Sequence, residues 1–511
     1  MLNHVNTAKN MSQEIISKSY GRFTLATVVW IFFLILVFTA CGRGEIGGPL
    51  PILYVDDTGF TGPPSLPSAP GNIRVVLGTT DFCGLVHESV EIASDGAFYV
   101  QSGDENLRFN TGEVFRISAA DGATFPASFF IRPEFFEHRL EIRSISRNSP
   151  NNAPPRYRGT LEVSQMDGGF IIVNELPIEE YLYAVVPSEM PSSFGVEASK
   201  VQAVTARTFA MHQMRQSAFR EFGAHVDDSV ISQVYNNIPE NDVSIEAVRA
   251  TRDRVLTYNG EIILANYFST SGGTTANFGE VWAVGAEFPS HTPDFLRARG
   301  QIFEPMYVDL RTEAGAATFF RNTEISAVDE NFPWFRWQIT MTTEELSDRI
   351  NAKLAERQAA NPALIHVIDI NDDPTDYPAV SIGYLKHLAV TRRGQGGNVM
   401  EMIFYGSDAT VRVQTEFNIR TLLNPGDIPV VRHDGTFSQN LTLLPSAFFT
   451  IEQHSVKSLY AVTFFGGGNG HGVGMSQNGV RALLDMGLNY AQILNHYYPG
   501  TEILYIPGGM W

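Results

Sequence analysis

Near its carboxyl end the chain reads Gly466-Gly-Gly-Asn-Gly-His471-Gly-Val-Gly-Met-Ser476-Gln477-Asn-Gly479. Seven of these fourteen residues are glycine, so the backbone can adopt positive φ angles and come close to a ligand or another strand. Two short helices are predicted next, one over Val480–Met486 and one capped by Asn489 with Gln492 at its third position. Two interpretations stay open: a loop that presents His471 to a ligand, or a Gly-rich turn in which His471 has a structural hydrogen bond.

A second segment reads Leu176-Pro-Ile-Glu-Glu-Tyr-Leu-Tyr-Ala-Val-Val-Pro-Ser-Glu189-Met-Pro191 and leads into a predicted helix from Val196 to Met214. Lys200 and Arg207 lie seven residues apart on this helix and therefore point within about 20° of each other. They are either solvated cations, the usual state of Lys and Arg, or a cationic shelf beside Glu189. On another stripe of the helix, apolar spacing predicts a face buried in the core, formed by Val201, Val204, Thr208 and Met211.

A third block contains Asp228, Gln233 and Tyr235, and then Tyr267-Phe-Ser269-Thr-Ser271-Gly-Gly. The three blocks, in this order over most of residues 160–511, resemble the SpoIID/LytB family of bacterial cell-wall proteins. The resemblance implies an α+β fold, with a SpoIID-like catalytic core over residues 161–511. It also implies a peptidoglycan lytic transglycosylase that cleaves glycan strands lacking stem peptides. Other members modify cell-wall amidases, so a non-catalytic wall-binding protein that enhances an amidase is the alternative.

By this resemblance Glu189, in the Glu-Met-Pro motif, is the catalytic residue. Ordinary glycosidases need two carboxylates, whereas a lytic transglycosylase needs one, which acts first as acid and then as base. The sugar's own C6 hydroxyl replaces the second protein group by proximity. Apolar neighbours are expected to raise the pKa of Glu189, as an acid at neutral pH requires. The alternative is a carboxylate that complements the dipole of the helix that follows.

Further residues are candidates for substrate binding. Lys200 and Arg207 are suited to the lactyl carboxylate of muramic acid, and the polar side chains of the other two blocks to sugar hydroxyls; these are Asp228, Gln233, Tyr235, Tyr267, Ser269, Ser271, His471, Ser476 and Gln477. Taken singly, each is also explained as an ordinary polar residue of a loop or strand edge. Some relatives bind zinc through Cys and His near the Tyr-x-Ser segment, but no Cys or His occurs between residues 226 and 290. We therefore expect no metal and no cofactor.

Composition and the amino terminus restrict the setting. The chain has 511 residues, 44% of them hydrophobic, a net charge of −19 and a pI near 5.1, which argues against nucleic acid as a partner. Of the 18 residues Phe23–Ala40, 15 are apolar, and Cys41 follows directly. Residues 1–40 are therefore a lipoprotein signal with Cys41 acylated, or an uncleaved membrane anchor. Both place the protein on the extracytoplasmic face of the cell membrane, tethered through the Gly/Pro-rich linker 41–70.

Domain organisation follows from the remaining patterns. Short β-like runs between turn residues predict an antiparallel β module over residues 71–160, partly shared with the following domain. Residues 286–335 and 366–380 are predicted to be loop insertions or a small added lobe. Between them, Trp334-Phe-Arg-Trp337 leads to a helix capped by Thr342 and Glu345. We assign this segment no function; substrate gating is an open alternative.

Overall fold

The computed structural model describes residues 71–121, 128–147, 153–216, 218–305, 307–455 and 457–507. Helices and mainly antiparallel sheets give these residues an α+β architecture. The signal or anchor predicted over residues 1–40, Cys41 and the linker 41–70 lie outside the described residues. Within the described residues, no helix combines the length and apolar character needed to cross a membrane.

The helices are α1 Ile178–Glu189, α2 Val196–Gln216, α3 Asp242–Ala250, α4 Glu313–Phe320, α5 Thr343–Ala360, α6 Glu416–Leu422, α7 Gln477–Asp485 and α8 Tyr490–Tyr497. The strands up to the first helices are β1 Asn72–Val76, β2 Ser89–Ser94, β3 Phe98–Ser102, β4 Glu105–Phe109, β5 Phe115–Ser118, β6 Ser128–Pro133, β7 Leu140–Ile142, β8 Arg156–Tyr157, β9 Thr160–Met166 and β10 Gly169–Pro177. Those that follow are β11 Val226–Asp227, β12 Arg254–Tyr258, β13 Glu261–Ile262, β14 Tyr267–Phe268, β15 Trp337–Thr342, β16 Ile365–Val367, β17 Leu385–Arg393, β18 Val399–Gly406, β19 Thr410–Gln414, β20 Val430–Arg432, β21 Phe437–Ser438, β22 Phe449–Ser455, β23 Leu459–Gly466, β24 Met475–Ser476 and β25 Glu502–Tyr505.

The N-terminal lobe, residues 71–250, contains two sheets. One has the strand order β11-β1-β10-β9-β6-β3-β4 and the other β5-β2-β7-β8. Alternate residues of β9, such as Leu161 and Val163, are buried, which is the period-two pattern of a strand with one covered face. The β-rich residues before 160 share the larger sheet with β9, β10 and β11, so no sheet boundary separates them from the rest of the lobe.

Helix α2 runs through the centre of the molecule. The predicted stripe of Val201, Val204, Thr208 and Met211 is buried, as the spacing indicated. The rest of the helix is largely covered too, because α1 and α3 pack on a second side of it. Helix α2 therefore belongs to the core on more than one face, which the apolar stripe alone does not reveal.

A central core forms where α2 meets α7, α8 and the strands β14 and β24, which pair in parallel. The second of these helices is capped as predicted, by Asn489 with Gln492. Helix α7 begins at Gln477, earlier than predicted, because the Ser476 side chain accepts a hydrogen bond from Gly479 N and so caps it. Residues 286–335, expected to be a loop insertion or a small added lobe, contribute aromatic side chains such as Phe335 to this core.

A separate core lies within residues 337–466, which we call the inserted lobe. Its sheets have the orders β21-β20-β15-β23-β22 and β16-β19-β18-β17, and α5 and α6 pack on them. Helix α5 begins at the predicted capping box of Thr342 and Glu345. The first and last strands of this lobe's sequence pair with each other, Trp337 opposite Gly466. The chain therefore enters and leaves the inserted lobe at one place, beside the Gly-rich loop.

Candidate active site

A cavity of about 260 Å³ lies where the N-terminal lobe, the central core and the inserted lobe meet. Five of the predicted site residues line it: Glu189, Tyr267, Ser269, His471 and Gln477. The segments that carry them are far apart in sequence, so the shared cavity is a product of the tertiary fold. Its lining is the candidate active site.

Glu189 is the last residue of α1, which ends there because Met190 precedes Pro191 and adopts an extended conformation. Its carboxylate Oε1 accepts a hydrogen bond from Val234 N at 2.6 Å, and Oε2 accepts one from Gln477 Nε2 at 3.2 Å. The same Nε2 donates to the Glu189 carbonyl at 2.8 Å. The carboxylate is thus held from two sides while its side chain still lines the cavity.

Burial raises the pKa of Glu189 above its ordinary value. Hydrogen bonds from Val234, Gln477 and the Tyr267 hydroxyl act in the opposite direction, because they stabilise the ionised form, but burial is the larger effect. Glu189 therefore has a raised affinity for a proton and ready donors for the anion formed when that proton leaves. Both properties suit an acid that must afterwards act as a base.

Tyr267 is oriented by a chain of hydrogen bonds behind the cavity. Tyr181 on α1 donates to Gln233 Oε1 at 3.3 Å, and Gln233 Nε2 donates to the Tyr267 hydroxyl at 3.1 Å. Because the Tyr267 oxygen accepts from Gln233, its own proton is available to Glu189, with which it also bonds. Gln233 is fully buried, so it positions Tyr267 and does not itself reach the cavity.

His471 lines the cavity, yet both of its ring nitrogens are already used. Nδ1 accepts from Val473 N at 3.1 Å, so Nε2 carries the proton and donates to the Tyr267 carbonyl at 2.9 Å. Burial, with a smaller effect from Arg420, lowers the pKa of His471 to about 3. His471 is therefore a neutral side chain with structural hydrogen bonds, in keeping with the second of the two interpretations open at the sequence level.

The glycines around His471 are required by close packing. Gly474 has φ 76°, and a Cβ there would lie 2.1 Å from the carbonyl oxygen of Asn266. Any other residue would push the loop away from the strand that carries Tyr267. The loop thereby brings Gln477 within reach of Glu189.

Ser476 and Ser271 lie beneath the cavity and are almost fully buried. The Ser476 hydroxyl accepts from Ser271 N and donates to Asp329 Oδ1, both at 3.1 Å. Ser271 N also bonds Asp329 Oδ2 at 3.1 Å, and its side chain accepts from Gly273 N in a Ser-Gly-Gly turn. These serines fix the start of α7 and are not placed to contact a ligand. Burial raises the pKa of Asp329 to about 7.

The predicted cationic shelf is wrong. Arg207 is 1% exposed and makes a two-pronged ion pair with Glu179, Nε to Oε1 at 2.7 Å and Nη2 to Oε2 at 2.8 Å. It also donates to the carbonyl of Arg254 at 3.1 Å, so it cross-links α2 to α1 and β12. Lys200 lies on the surface and pairs with Glu197 at 2.5 Å. Neither cation lines the cavity, because α1 and α3 cover the face that carries Arg207.

Asp228 and Tyr235 were also predicted to bind substrate, and the structure places both in the core. Asp228 Oδ2 pairs with Arg147 at 2.7 Å with both side chains buried, and Oδ1 accepts from Gly78 N. The Tyr235 hydroxyl donates to Asn174 at 2.8 Å. Asp228 and Tyr235 fix the segment 228–235. This segment contains Val234, whose backbone N–H donates to the Glu189 carboxylate.

Sequence reasoning missed a second group of cavity residues. Trp334, Arg420 and the segment 441–445 line the cavity from the side of the inserted lobe. The Trp334-Phe-Arg-Trp337 run was noticeable in the sequence but carried no sign of its position. No local pattern distinguishes Arg420 or residues 441–445 from other parts of a helix and a loop. Across the described residues, no group of three His, Cys, Asp or Glu side chains is arranged to hold a metal ion.

Known proteins resemble this chain over most of its length. Residues 166–258 match the family described as "Stage II sporulation protein", and residues 285–474 match "Domain of unknown function (DUF8618)". The amidase enhancer of Bacillus subtilis (strain 168) is 26% identical over 454 residues, which are 86% of this chain and 56% of that protein. An uncharacterized protein of Brachyspira hyodysenteriae is 26% identical over 68% of this chain and 72% of its own length.

Stage II sporulation protein D of Bacillus subtilis (strain 168) is 25% identical, over 65% of this chain and 75% of that protein. This chain thus spans little more than half the length of the amidase enhancer and three quarters of the sporulation protein. The first matched segment contains Glu189, Val234, whose backbone N–H binds the Glu189 carboxylate, and Gln233, which positions Tyr267. These similarities support the resemblance of this chain to the SpoIID/LytB family.

Proposed function

We propose that this protein acts at the bacterial cell wall as a lytic transglycosylase, cleaving peptidoglycan strands that lack stem peptides. The resemblance to this family supports the cell-wall role. The observation that carries the mechanism is that Glu189 is the one carboxylate among the described residues that line the cavity. A glycosidase mechanism that uses two carboxylates would lack its second carboxylate among these lining residues. A single partly buried acid with a raised pKa suits a mechanism that needs only one carboxylate.

In the proposed reaction, protonated Glu189 donates its proton to the oxygen of the glycosidic bond as the bond between that oxygen and C1 breaks. The C6 hydroxyl of the same sugar then attacks C1 and closes a 1,6-anhydro ring. The Glu189 carboxylate takes the hydroxyl proton and returns to its starting state. Val234 N, Gln477 and Tyr267 stabilise the carboxylate between the two transfers.

Polar groups on the cavity surface are suited to the sugar. Tyr267 and Ser269 lie beside Glu189 in the lining, and Asn266 and Asn469 add amide groups. With Arg207 and Lys200 outside the cavity, these neutral groups are the candidates for contacts with hydroxyl and acetamido groups.

The test is the chemical form of the products. Peptide-free glycan strands are incubated with the protein and the products are analysed by mass. Ends of the 1,6-anhydro-muramyl type support transglycosylation, and reducing ends indicate a hydrolase. Absence of cleavage contradicts both and favours the non-catalytic alternative.

That alternative is a wall-binding protein that enhances a cell-wall amidase. The observation in its favour is the name of the amidase enhancer of Bacillus subtilis, whose similarity covers 86% of this chain and 56% of that protein. Its test is amidase release of stem peptides from whole wall, with and without this protein and its Glu189→Gln variant. Equal enhancement by both forms would support a role that needs no catalysis.

We further propose attachment to the extracytoplasmic face of the cell membrane through residues 1–41. The apolar run before Cys41 supports this. Cys41→Ser should move the protein from the detergent phase to the soluble phase, or leave an unprocessed precursor. A variant that stays membrane-bound at unchanged mass would indicate an uncleaved helix.

A further inference from the structure

The cavity has a wall that the mechanism at Glu189 does not use. It consists of Trp334 and the segment Leu441-Thr-Leu-Leu-Pro445, and we call it the Trp334 wall. Both parts lie within residues 285–474, the region that matches a family of unknown function. The segment 441–445 belongs to the inserted lobe, and Trp334 lies just before that lobe and packs against its core. Glu189 and Gln477 approach the cavity from α1 and α7.

Hydrogen bonds hold the Trp334 wall in place. Arg420 on α6 donates to the Leu444 carbonyl at 2.8 Å and to the Pro445 carbonyl at 3.1 Å. Gly470 N, in the Gly-rich loop, also donates to Pro445 O at 2.9 Å. At the other end of the segment, Leu441 and Gly426 exchange two backbone hydrogen bonds. These hydrogen bonds to the protein itself fix the position of the segment without a ligand.

Trp334 is fixed as well. Its carbonyl accepts from Gly468 N at 2.9 Å, and the Arg432 guanidinium lies 5.4 Å from the centre of its ring. The side chain is partly buried against the inserted lobe and lines the cavity. An aromatic ring held in this way offers a large contact area at little cost in conformational entropy.

The lining residues of the wall carry no unpaired charge, and Arg432, which lies over the Trp334 ring, does not line the cavity. Arg420 is the one cation among the described lining residues, and it pairs with Glu416 at 2.8 Å besides bonding the two carbonyls. An anionic group placed against the wall would lose its hydration without gaining a counter-charge. A ligand on this wall should therefore be neutral, with an apolar face for Trp334 and polar edges for the surrounding groups.

An N-acetylated hexosamine ring without a carboxylate has these properties, because its axial C–H groups form an apolar face. We propose that the Trp334 wall binds the uncharged N-acetylhexosamine unit of the strand, next to the sugar that reacts at Glu189. The identification of the ligand as a glycan rests on the proposed function. The wall assigns to the inserted lobe a role in selecting substrate.

The test measures binding in a Glu189→Gln background, so that no cleavage is needed. The probe is the neutral trimer of N-acetylglucosamine, titrated by calorimetry. Trp334→Ala should weaken binding about tenfold, from the worth of an aromatic contact and its buried area. Trp334→Phe keeps a ring and should fall between the two. Tyr377→Ala, an exposed aromatic of the same lobe, is the matched control and should bind like its parent.

Thermal unfolding checks that the variants are folded. If Trp334→Ala is not folded, the comparison of Trp334→Phe with its parent still decides the test. A carboxymethylated trimer of the same length should bind more weakly than the neutral one. Equal affinity in the parent and both Trp334 variants would overturn the subsite, as would absence of binding throughout or tighter binding of the charged trimer.

The two proposals fail separately. Binding that depends on Trp334, in a protein that cleaves no strand, supports the subsite and overturns the transglycosylase. If the wild type produces anhydro-muramyl ends but the affinity for the trimer does not depend on Trp334, the subsite is wrong and the transglycosylase mechanism is supported.

Discussion

Replacing Glu189 by glutamine keeps the shape of the side chain but removes the proton that the proposed reaction transfers. In the wild type, both carboxylate oxygens accept hydrogen bonds, from Val234 N at 2.6 Å and from Gln477 Nε2 at 3.2 Å. A glutamine has one oxygen and one NH₂ group, so it can satisfy only one of these donors. At the other contact, two donors would face each other.

The cost in stability should therefore be small, and the cost in activity large. Losing one of the two hydrogen bonds costs about 1 kcal/mol. General acid–base catalysis contributes about 10²–10⁴-fold to a rate, and one carboxylate performs both transfers here, so we expect the upper part of that range. A loss of about 10⁴-fold corresponds to about 5 kcal/mol in the activation free energy.

The stability difference should also depend on pH. The pKa of Glu189 is raised in the folded protein, so its stabilising contribution is full below the unfolded pKa and is lost as pH rises through the folded pKa. Glutamine does not titrate. The wild type should therefore lose part of its advantage over the variant as pH increases through this window.

The assay is release of anhydro-muramyl products from peptide-free strands, with urea unfolding of the same preparations at several pH values. Glu246→Gln, on the exposed side of α3, is the matched control and should change neither rate nor stability appreciably. Cleavage by Glu189→Gln at close to the wild-type rate would remove Glu189 from the mechanism. A stability loss of several kcal/mol would mean that the lost activity reflects unfolding.

Four other substitutions test the surroundings of the site. Gln477→Ala removes a donor to the Glu189 carboxylate, so the basic limb of the pH–rate profile should move to higher pH; a shift to lower pH would contradict this. Arg207→Ala should destabilise the protein by about 3–5 kcal/mol, because it leaves a buried carboxylate unpaired, while Lys200→Ala should cost less than about 1 kcal/mol. Similar values in urea unfolding for the two variants would refute the burial argument. Burial raises the pKa of Asp329 to about 7, so its contribution to stability is full below about pH 4 and is lost as pH rises to about 7; in Asp329→Asn that fall should be smaller, and an unchanged pH dependence of unfolding would exclude Asp329 as its source.

Local chemistry made several elements predictable. Helix caps depend on residues three positions apart, so Asn489 with Gln492 and Thr342 with Glu345 could be recognised without knowledge of the fold. The apolar stripe of α2 was recognisable for the same reason, since its period reports a buried face. By contrast, these patterns did not predict that Glu189 ends helix α1, with Pro187 inside that helix.

Long-range contacts were not predictable from such patterns. Helical spacing places Arg207 on a face but does not say whether that face is covered. The covering carboxylate, Glu179, lies on a different helix, 28 residues earlier. Ala203 and Ala210, which lie on nearly the same face of α2 as Arg207, are fully buried as well. Trp334 reaches the cavity through pairings over more than a hundred residues, such as its contact with Gly468.

The hydrogen bond between Gln477 and Glu189 joins residues 288 positions apart. We expect it to form late in folding. Local helices and hairpins form early, whereas pairings across such separations form late, because they must overcome the entropy of closing a long loop. A chain that has folded its N-terminal lobe already carries Glu189, but without its Gln477 donor and without the loop that closes the cavity. The reactive centre is thus latent until the final helices dock. Cleavage of the chain within the Gly-rich loop would return it to that latent state.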